Sequence, residues 1–335
     1  MKILIVKLSS LGDVIQTLPV LHDIRSVVPE AQIVWVVEEA FADLLRQVPG
    51  LGRVLPCGQR RWRKSPWAVD TRAEWRAFWS QLREQAYDVV IDFQGLIKSA
   101  RVARGARLAI NGFSVTYGNR SELCGYEWPV RWMLKRTVPM ERRIHAVSRY
   151  RLLAARALAY EAHPLLQEAP VYPFVRSQME GAAARAGAVF FAHGTTREDN
   201  EWPLEAWEDL GARCLESGLQ VWVPEVNERE RALAAQLRQR LGPRLELLPR
   251  GSLAKMLQLM SQCRGVIGVD SGLSHLAVAL DLPTVQIFSQ PRVWRAGPVG
   301  QPHQCAVGGD HVPSVLEVWT AWERSLAQVP VRAGR

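Results

Sequence analysis

Asp13 is the first acidic side chain of the chain, and it stands at the end of Lys7-Leu8-Ser9-Ser10-Leu11-Gly12-Asp13, a Ser/Gly-containing turn. Four apolar residues, Ile3 to Val6, precede the turn, and an apolar-periodic run at Val14, Leu18, Leu21 and Ile24 follows it. This is the pattern of a buried strand, a tight loop and a helix. In an open parallel sheet ligands sit outside the carboxyl ends of the strands, so the turn lies where a site is expected. Asp13 falls in the first helical turn, where the helix dipole favours a charged carboxylate. Such a group is a candidate general base; the same position also suits a residue that only caps the helix, and this segment leaves both readings open. With Gly12 as its one glycine, the turn matches neither G-x-G-x-x-G nor G-x-x-x-x-G-K-[ST], which counts against hydride-transfer and kinase chemistry.

Two further polar clusters follow apolar strands in the second half. Asp270-Ser271-Gly272 comes directly after Val266 to Val269 and opens a helix. Backbone N–H groups and the helix dipole make that junction a candidate diphosphate site. His275, one turn further on, is near enough to reach a phosphate. Phe191-Ala192-His193-Gly194-Thr195-Thr196-Arg197 is the second cluster, closing on Asn200 and Trp202-Pro203. In the first half, Arg60-Arg61-Trp62-Arg63-Lys64 places four cations within five residues. They repel one another unless an anion joins them, so the segment is either an anion site or a solvated basic loop. Asp92-Phe93-Gln94-Gly95-Leu96-Ile97-Lys98-Ser99 follows a buried strand and should face the same cleft as Asp13. Asp270 with His275 does not make a metal-ligand set, and no metal is expected.

The elements that would hold these residues alternate along the chain. Strands are predicted at Gln32 to Val37, near Val54 and at Val89 to Ile91, with a short helix around Phe41 to Val48. Thr71-x-x-Glu74 reads as a capping box for a helix whose Trp75, Phe78, Trp79 and Leu82 form a core-facing stripe. Asn111 to Arg143, with Tyr117, Arg120 and Arg131, reads as loops and short elements, and His145 to Tyr160 as a helix. Glu161 to Val175 contains three prolines and is the expected linker. Beyond it, strands at Val189 to Ala192, Val221 to Val223, Leu245 to Leu248, Val266 to Val269 and Thr284 to Phe288 alternate with helices at Pro203 to Leu215, Glu228 to Leu241 and Ser252 to Cys263. The expectation is two facing, doubly wound α/β domains, 1–165 and 176–312, with a last helix in 313–330 packing back toward the first domain.

The chain has 335 residues, 48% of them hydrophobic and 22% charged, enough for two globular cores. A net charge of +9 points to an anionic partner: nucleic acid, an anionic membrane surface or acidic small molecules. No run of eighteen apolar residues occurs and no signal-peptide core is evident, so a cytoplasmic protein is expected. Five scattered cysteines argue against a disulfide framework and read as packing residues. The thirteen tryptophans, many at helical spacing, read as core.

Five motifs, K-I-L-I-V-K-L-S-S-L-G-D-V-I-Q-T-L-P, R-R-W-R-K, I-D-F-Q-G-L-I-K-S-A, H-G-T-T-R-E-D-N-E-W-P and V-D-S-G-L-S-H-L-A, occur in that order over nearly the whole chain. Together they closely resemble the lipopolysaccharide heptosyltransferase family, nearest to its heptosyltransferase I members. The resemblance implies the GT-B fold, two facing Rossmann-like domains. It also implies inverting, metal-independent transfer of L-glycero-D-manno-heptose from ADP-heptose to the first Kdo of Kdo2-lipid A at the cytoplasmic face of the inner membrane. ADP-heptose is then a substrate, and no cofactor is implied. By the same resemblance Asp13 is the catalytic base. The donor positions are Thr195, Thr196, Asn200, Glu228, Gly251, Asp270, Ser271, Gly272 and His275. The acceptor positions are Lys7, Ser10, Arg60, Arg61, Arg63, Lys64, Gln94, Lys98 and Arg120. The sequence departs from the family at Asn200, where lysine is usual and Arg197 or Lys7 would have to compensate. Ser271 stands where threonine is usual, and Pro224-Glu225-Val226 replaces a Pro-Trp-Gly turn, which leaves Glu225 and Glu228 both open as the donor-facing glutamate. Competing readings are heptosyltransferase II, a protein heptosyltransferase, a non-catalytic nucleotide sensor, and a nucleic-acid binder, for which no motif is present.

Overall fold

The computed structural model of the chain describes residues 1–161, 166–174, 187–225 and 228–329. It divides into two compact units, Met1–Pro173 and Phe174–Arg335. The expected linker brackets that boundary, with residues 162–165 and 175 outside the described part.

The first unit is a six-stranded sheet of β1 (Lys2–Val6), β2 (Gln32–Glu38), β3 (Arg53–Cys57), β4 (Tyr87–Asp92), β5 (Leu108–Tyr117) and β6 (Arg136–Val138), in the order β3-β2-β1-β4-β5-β6. Every pairing is parallel. Ile3, Leu4, Ile5 and Val6 are fully buried, as a strand covered by helices on both faces must be. The order reverses between β1 and β4, whose last residues, Val6 and Asp92, are paired. That junction is the topological switch point of a doubly wound sheet.

Four expectations are corrected here. The start of the supposed loop region, Asn111 to Tyr117, belongs to β5, and three more residues form β6. Gly112 explains the missed periodicity: a Cβ there would stand 2.6 Å from the Tyr87 carbonyl oxygen, beside a register shift between β4 and β5. The helix expected to start from a Thr71 capping box starts at Val69, and Glu74 instead accepts from Trp62 Nε1 at 2.9 Å. Of its aromatic stripe Phe78 is buried, whereas Trp75 is half exposed to solvent. The basic segment contains a short helix, Gln59–Trp62.

The second unit repeats the winding. Its strands are β7 (Ala188–Ala192), β8 (Gln220–Pro224), β9 (Leu245–Leu248), β10 (Gly265–Val269), β11 (Thr284–Phe288) and β12 (Gln304–Gly308), ordered β12-β11-β10-β7-β8-β9 and all parallel. β12 has no counterpart among the predicted strands. Here the reversal lies between β7 and β10, the strands that lead into the two polar clusters. Trp202, Trp207 and Trp322 fill this core with Val189, Val221 and Ile267. The last helix, Val315–Ala327, packs Val318 and Trp322 into that same core, and its Ser325 hydroxyl donates to the His303 carbonyl. Its buried face is therefore used within the second unit.

Among the described residues no helix is long and apolar enough to cross a membrane. The cysteines form no disulfide there, and burial pushes the Cys57 and Cys214 thiols up to about 12, as packing residues require.

Candidate active site

In the first unit the turn after β1 is fastened to the turn after β4. Gln94 Oε1 accepts from the backbone N–H groups of Leu8 at 2.8 Å and Ser9 at 3.4 Å, and its Nε2 donates to Ser9 Oγ at 3.3 Å. Gln94 is itself seated by Asp92, whose Oδ1 accepts from the N–H groups of Gln94 at 2.9 Å and Gly95 at 3.3 Å. Asp92 is fully buried, and burial pushes its carboxyl up to about 6 against those hydrogen bonds.

Asp13, half-buried, uses each oxygen separately. Oδ2 accepts from the Ser10 hydroxyl at 3.0 Å and the Ser10 N–H at 3.3 Å, which closes the first turn of the helix Leu11–Thr17. Oδ1 accepts from the Tyr150 hydroxyl at 2.8 Å. Tyr150 in turn accepts from Lys7 Nζ at 3.1 Å, and that ammonium also donates to the Phe93 carbonyl at 3.3 Å. The capping and general-base readings are therefore compatible. Lys7 is buried and stands behind the carboxylate by way of Tyr150. Tyr150 was not singled out from the sequence: it lies 137 positions from Asp13 inside an ordinary helical pattern.

The expected acceptor side chains differ in what already occupies them. Arg61 bonds Glu39 through two nitrogens and reaches Glu74 at 2.7 Å. Arg60 lies over the Phe41 ring, 5.9 Å from its centroid. Arg63, Lys64 and Arg120 are exposed, and among the described residues their side chains enter no ion pair or hydrogen bond. Lys98 donates to Ser9 Oγ at 3.4 Å and Ser10 is exposed, so both belong to the Asp13 neighbourhood.

In the second unit the clusters after β7 and β10 meet. Thr195 Oγ1 donates to the Asp270 carbonyl at 3.4 Å; Asn200 Nδ2 donates to that carbonyl at 3.4 Å and to Asp270 Oδ2 at 3.3 Å. His275 Nε2 lies 3.4 Å from Asp270 Oδ1, and its Nδ1 faces Gln286 Nε2 at 3.4 Å. Burial acts to raise the Asp270 carboxyl, but the His275 hydrogen bond and charge, with Arg295 and Arg292, hold it below the usual carboxylate range. Ser271 caps the helix Gly272–Ala279 through the Ser274 N–H. Gly268 permits the close approach of β10 and β7, since a Cβ there would meet Ala192 Cβ at 2.5 Å.

Arg292 supplies the cation for Asn200. Its Nη1 donates to Asn200 Oδ1 at 2.9 Å and its Nη2 to Asp199 at 2.6 Å. Of the substitutes expected from the sequence, Arg197 is exposed beside this cluster and Lys7 is bonded within the first unit. Thr196 is exposed near this cluster, while Glu228 and Gly251 are exposed and, among the described residues, make no hydrogen bond to it. Glu225, at the end of β8, is the less exposed of the two candidate glutamates and lies 4.0 Å from Arg231. Val226 of the altered turn falls outside the described residues. Among the described residues no three His, Cys, Asp or Glu side chains group as metal ligands.

The profile of glycosyltransferase family 9 (heptosyltransferase) matches residues 75–314. The chain is 39% identical over 318 residues to lipopolysaccharide heptosyltransferase 1 of Pseudomonas aeruginosa, covering 92% of this chain and 84% of that protein. The solved structure of E. coli heptosyltransferase WaaC with ADP superposes with a TM-score of 0.84 at 32% identity, over 97% of this chain and 100% of that one. The same enzyme with ADP-2-deoxy-2-fluoro heptose gives a TM-score of 0.79 at 31% identity, over 96% and 99%.

Proposed function

The chain belongs to glycosyltransferase family 9, the heptosyltransferases, and from that premise we propose that it moves L-glycero-D-manno-heptose from ADP-heptose to the first Kdo of Kdo2-lipid A. Its two Rossmann-like units are those of the GT-B glycosyltransferases. Support for the donor comes from the similarity to WaaC, solved with ADP and with an ADP-heptose analogue. Support for lipopolysaccharide comes from the Pseudomonas relative's name. The observation that carries the reading is Asp13, a half-buried carboxylate oriented by Ser10 and Tyr150 at the switch point of the first sheet.

The reaction is a displacement. Asp13 takes the proton of a Kdo hydroxyl as that oxygen forms a bond to the anomeric carbon; the bond from that carbon to the ADP oxygen breaks on the opposite face, so the configuration inverts. General-base assistance contributes about 10² to 10⁴ in rate. Charge growing on the departing diphosphate is met by the N–H groups at Ser271 and Gly272, the hydroxyls of Thr195 and Thr196, and His275. These donors stabilise the leaving group with the protein's own atoms, and no metal or cofactor has a part in this scheme. Arg63, Lys64 and Arg120 have their charge available for Kdo carboxylates and lipid A phosphates. An excess of nine positive charges favours peripheral attachment to the anionic cytoplasmic leaflet.

Incubation with ADP-heptose and Kdo2-lipid A, followed by mass spectrometry, tests the proposal. One added heptose is expected. Addition only to an acceptor that already carries a heptose would reassign the chain to the second transferase of the core.

A further inference from the structure

Most large aromatic side chains of this protein are buried, yet four tryptophans of the first unit are exposed: Trp75, on the helix Val69–Arg83, and three in loops or a short helix. Trp67 is 83% exposed, Trp128 62% and Trp132 68%. Trp128 and Trp132 pair edge to face with ring centroids 4.7 Å apart, and the Arg131 guanidinium lies 5.9 Å from the Trp132 ring. Trp67 follows Arg63 and Lys64, both exposed.

Both segments flank one turn. On one side Gln59 Nε2 donates to the Lys98 carbonyl at 3.3 Å, which fixes the start of the basic segment. On the other, the Glu127 N–H donates to the Gly95 carbonyl at 3.0 Å, and the Glu127 carboxylate accepts from the Ile97 N–H. The same turn carries Gln94, which holds the Asp13 loop. Exposed indole rings with guanidinium and ammonium groups thus border the carboxyl edge of the first sheet on two sides. Indole favours the water–lipid boundary, where its ring sits among headgroups and its N–H stays hydrated, and cations favour an anionic leaflet.

We propose that this edge is a docking surface for an anionic phospholipid bilayer, with Trp128 and Trp132 entering the headgroup layer while Arg131, Arg63 and Lys64 pair with lipid phosphates. The occupant follows from charge and from chemistry. The surface is aromatic and cationic, and the acceptor assigned above, on whose identification this inference rests, is itself anchored in a membrane. Docking this edge brings the Asp13 loop to the sugar where it emerges from the lipid.

The test is co-sedimentation of the full chain with vesicles of phosphatidylethanolamine and phosphatidylglycerol, and with phosphatidylcholine vesicles. The wild type binds the anionic vesicles preferentially, and Trp128→Ser with Trp132→Ser reduces that binding by about tenfold or more. Ile110→Ser is the control. Ile110 is fully exposed near the amino end of β5, the end opposite Tyr117, and its loss leaves binding unchanged. The double variant keeps its turnover on a deacylated, water-soluble acceptor and loses turnover on acceptor embedded in vesicles. A measurement without variants runs beside these: brominated acyl chains in the vesicles quench part of the wild-type tryptophan emission. The proposal is overturned if the double variant binds vesicles as the wild type does, if Ile110→Ser costs as much, if quenching is absent, or if the tryptophan changes alter self-association instead. Failure of the acceptor assignment would show separately, as no heptose transfer to any acceptor by a wild type that still binds vesicles.

Discussion

Asp13 divides its two oxygens between a local partner three positions away and a distant one, Tyr150. The local contact was legible because a turn, an acid and a helix start are contiguous in sequence. Tyr150 was not, because only the fold brings its helix to the loop. Asp13→Ala removes the proton acceptor, so turnover falls by about 100-fold or more. Calorimetry with an ADP-heptose analogue should show nearly unchanged affinity, and retained turnover would remove Asp13 from the role of base. The same contrast holds in the second unit. Asp270, Ser271, Gly272 and His275 could be read from one strand-to-helix junction, whereas Arg292 lies 92 positions from Asn200 and carries no local signal. Arg292→Gln leaves Asn200 without its cationic partner and weakens the counter-charge at Asp270. The expected result is a donor KM raised by about tenfold, with a smaller change in kcat, since a charged hydrogen bond contributes about 1.5–3 kcal/mol. An unchanged KM would mean that this cation plays no part in holding the donor.

The helix Ala146–Leu158 presents Tyr150, and a buried ion pair holds that helix to the helix Pro19–Val27. Arg151 Nε and Nη2 reach the two Asp23 oxygens at 2.7 and 3.1 Å, with the side chains 5% and 1% exposed. Asp23→Ala strands a buried guanidinium and should cost about 3–5 kcal/mol, read as a lower urea midpoint; replacing both partners by apolar residues recovers most of it. The strut of Asp92 gives a pH signature. Its folded carboxyl stands at about 6 against an ordinary 3.8, so the stability it contributes is complete below 3.8 and is lost as pH rises through about 6. Asp92→Asn keeps an acceptor for the Gln94 and Gly95 N–H groups. Urea titrations should show the wild type losing up to about 3 kcal/mol relative to the variant across that window; parallel profiles would place the titration elsewhere. Strong periodicity made β1, β2, β4 and the strands β7 to β11 readable. β5 and β6 escaped because Asn111-Gly112 reads as a turn, although Gly112 serves a close strand contact. Spacing alone also could not tell the buried Phe78 from the exposed Trp75, which lies on the same stripe one turn nearer the start of that helix.

Each unit has its own sheet and its own buried core, and the cluster proposed to hold the donor lies in the second. ADP at about a hundred times its dissociation constant should therefore stabilise the second unit by about 2.7 kcal/mol. Scanning calorimetry is expected to show one transition moving upward with ADP while another stays in place; a single transition shifting as a whole would show that the units melt together. The repeated strand order has a further meaning. Because each sheet reverses direction at one place only, natural variation has one doorway per half in which to rewrite chemistry without disturbing the frame. Under the proposed assignment, taste for the receiving sugar and taste for the activated one are inscribed in separate loops, so a lineage can alter either preference and inherit the other intact.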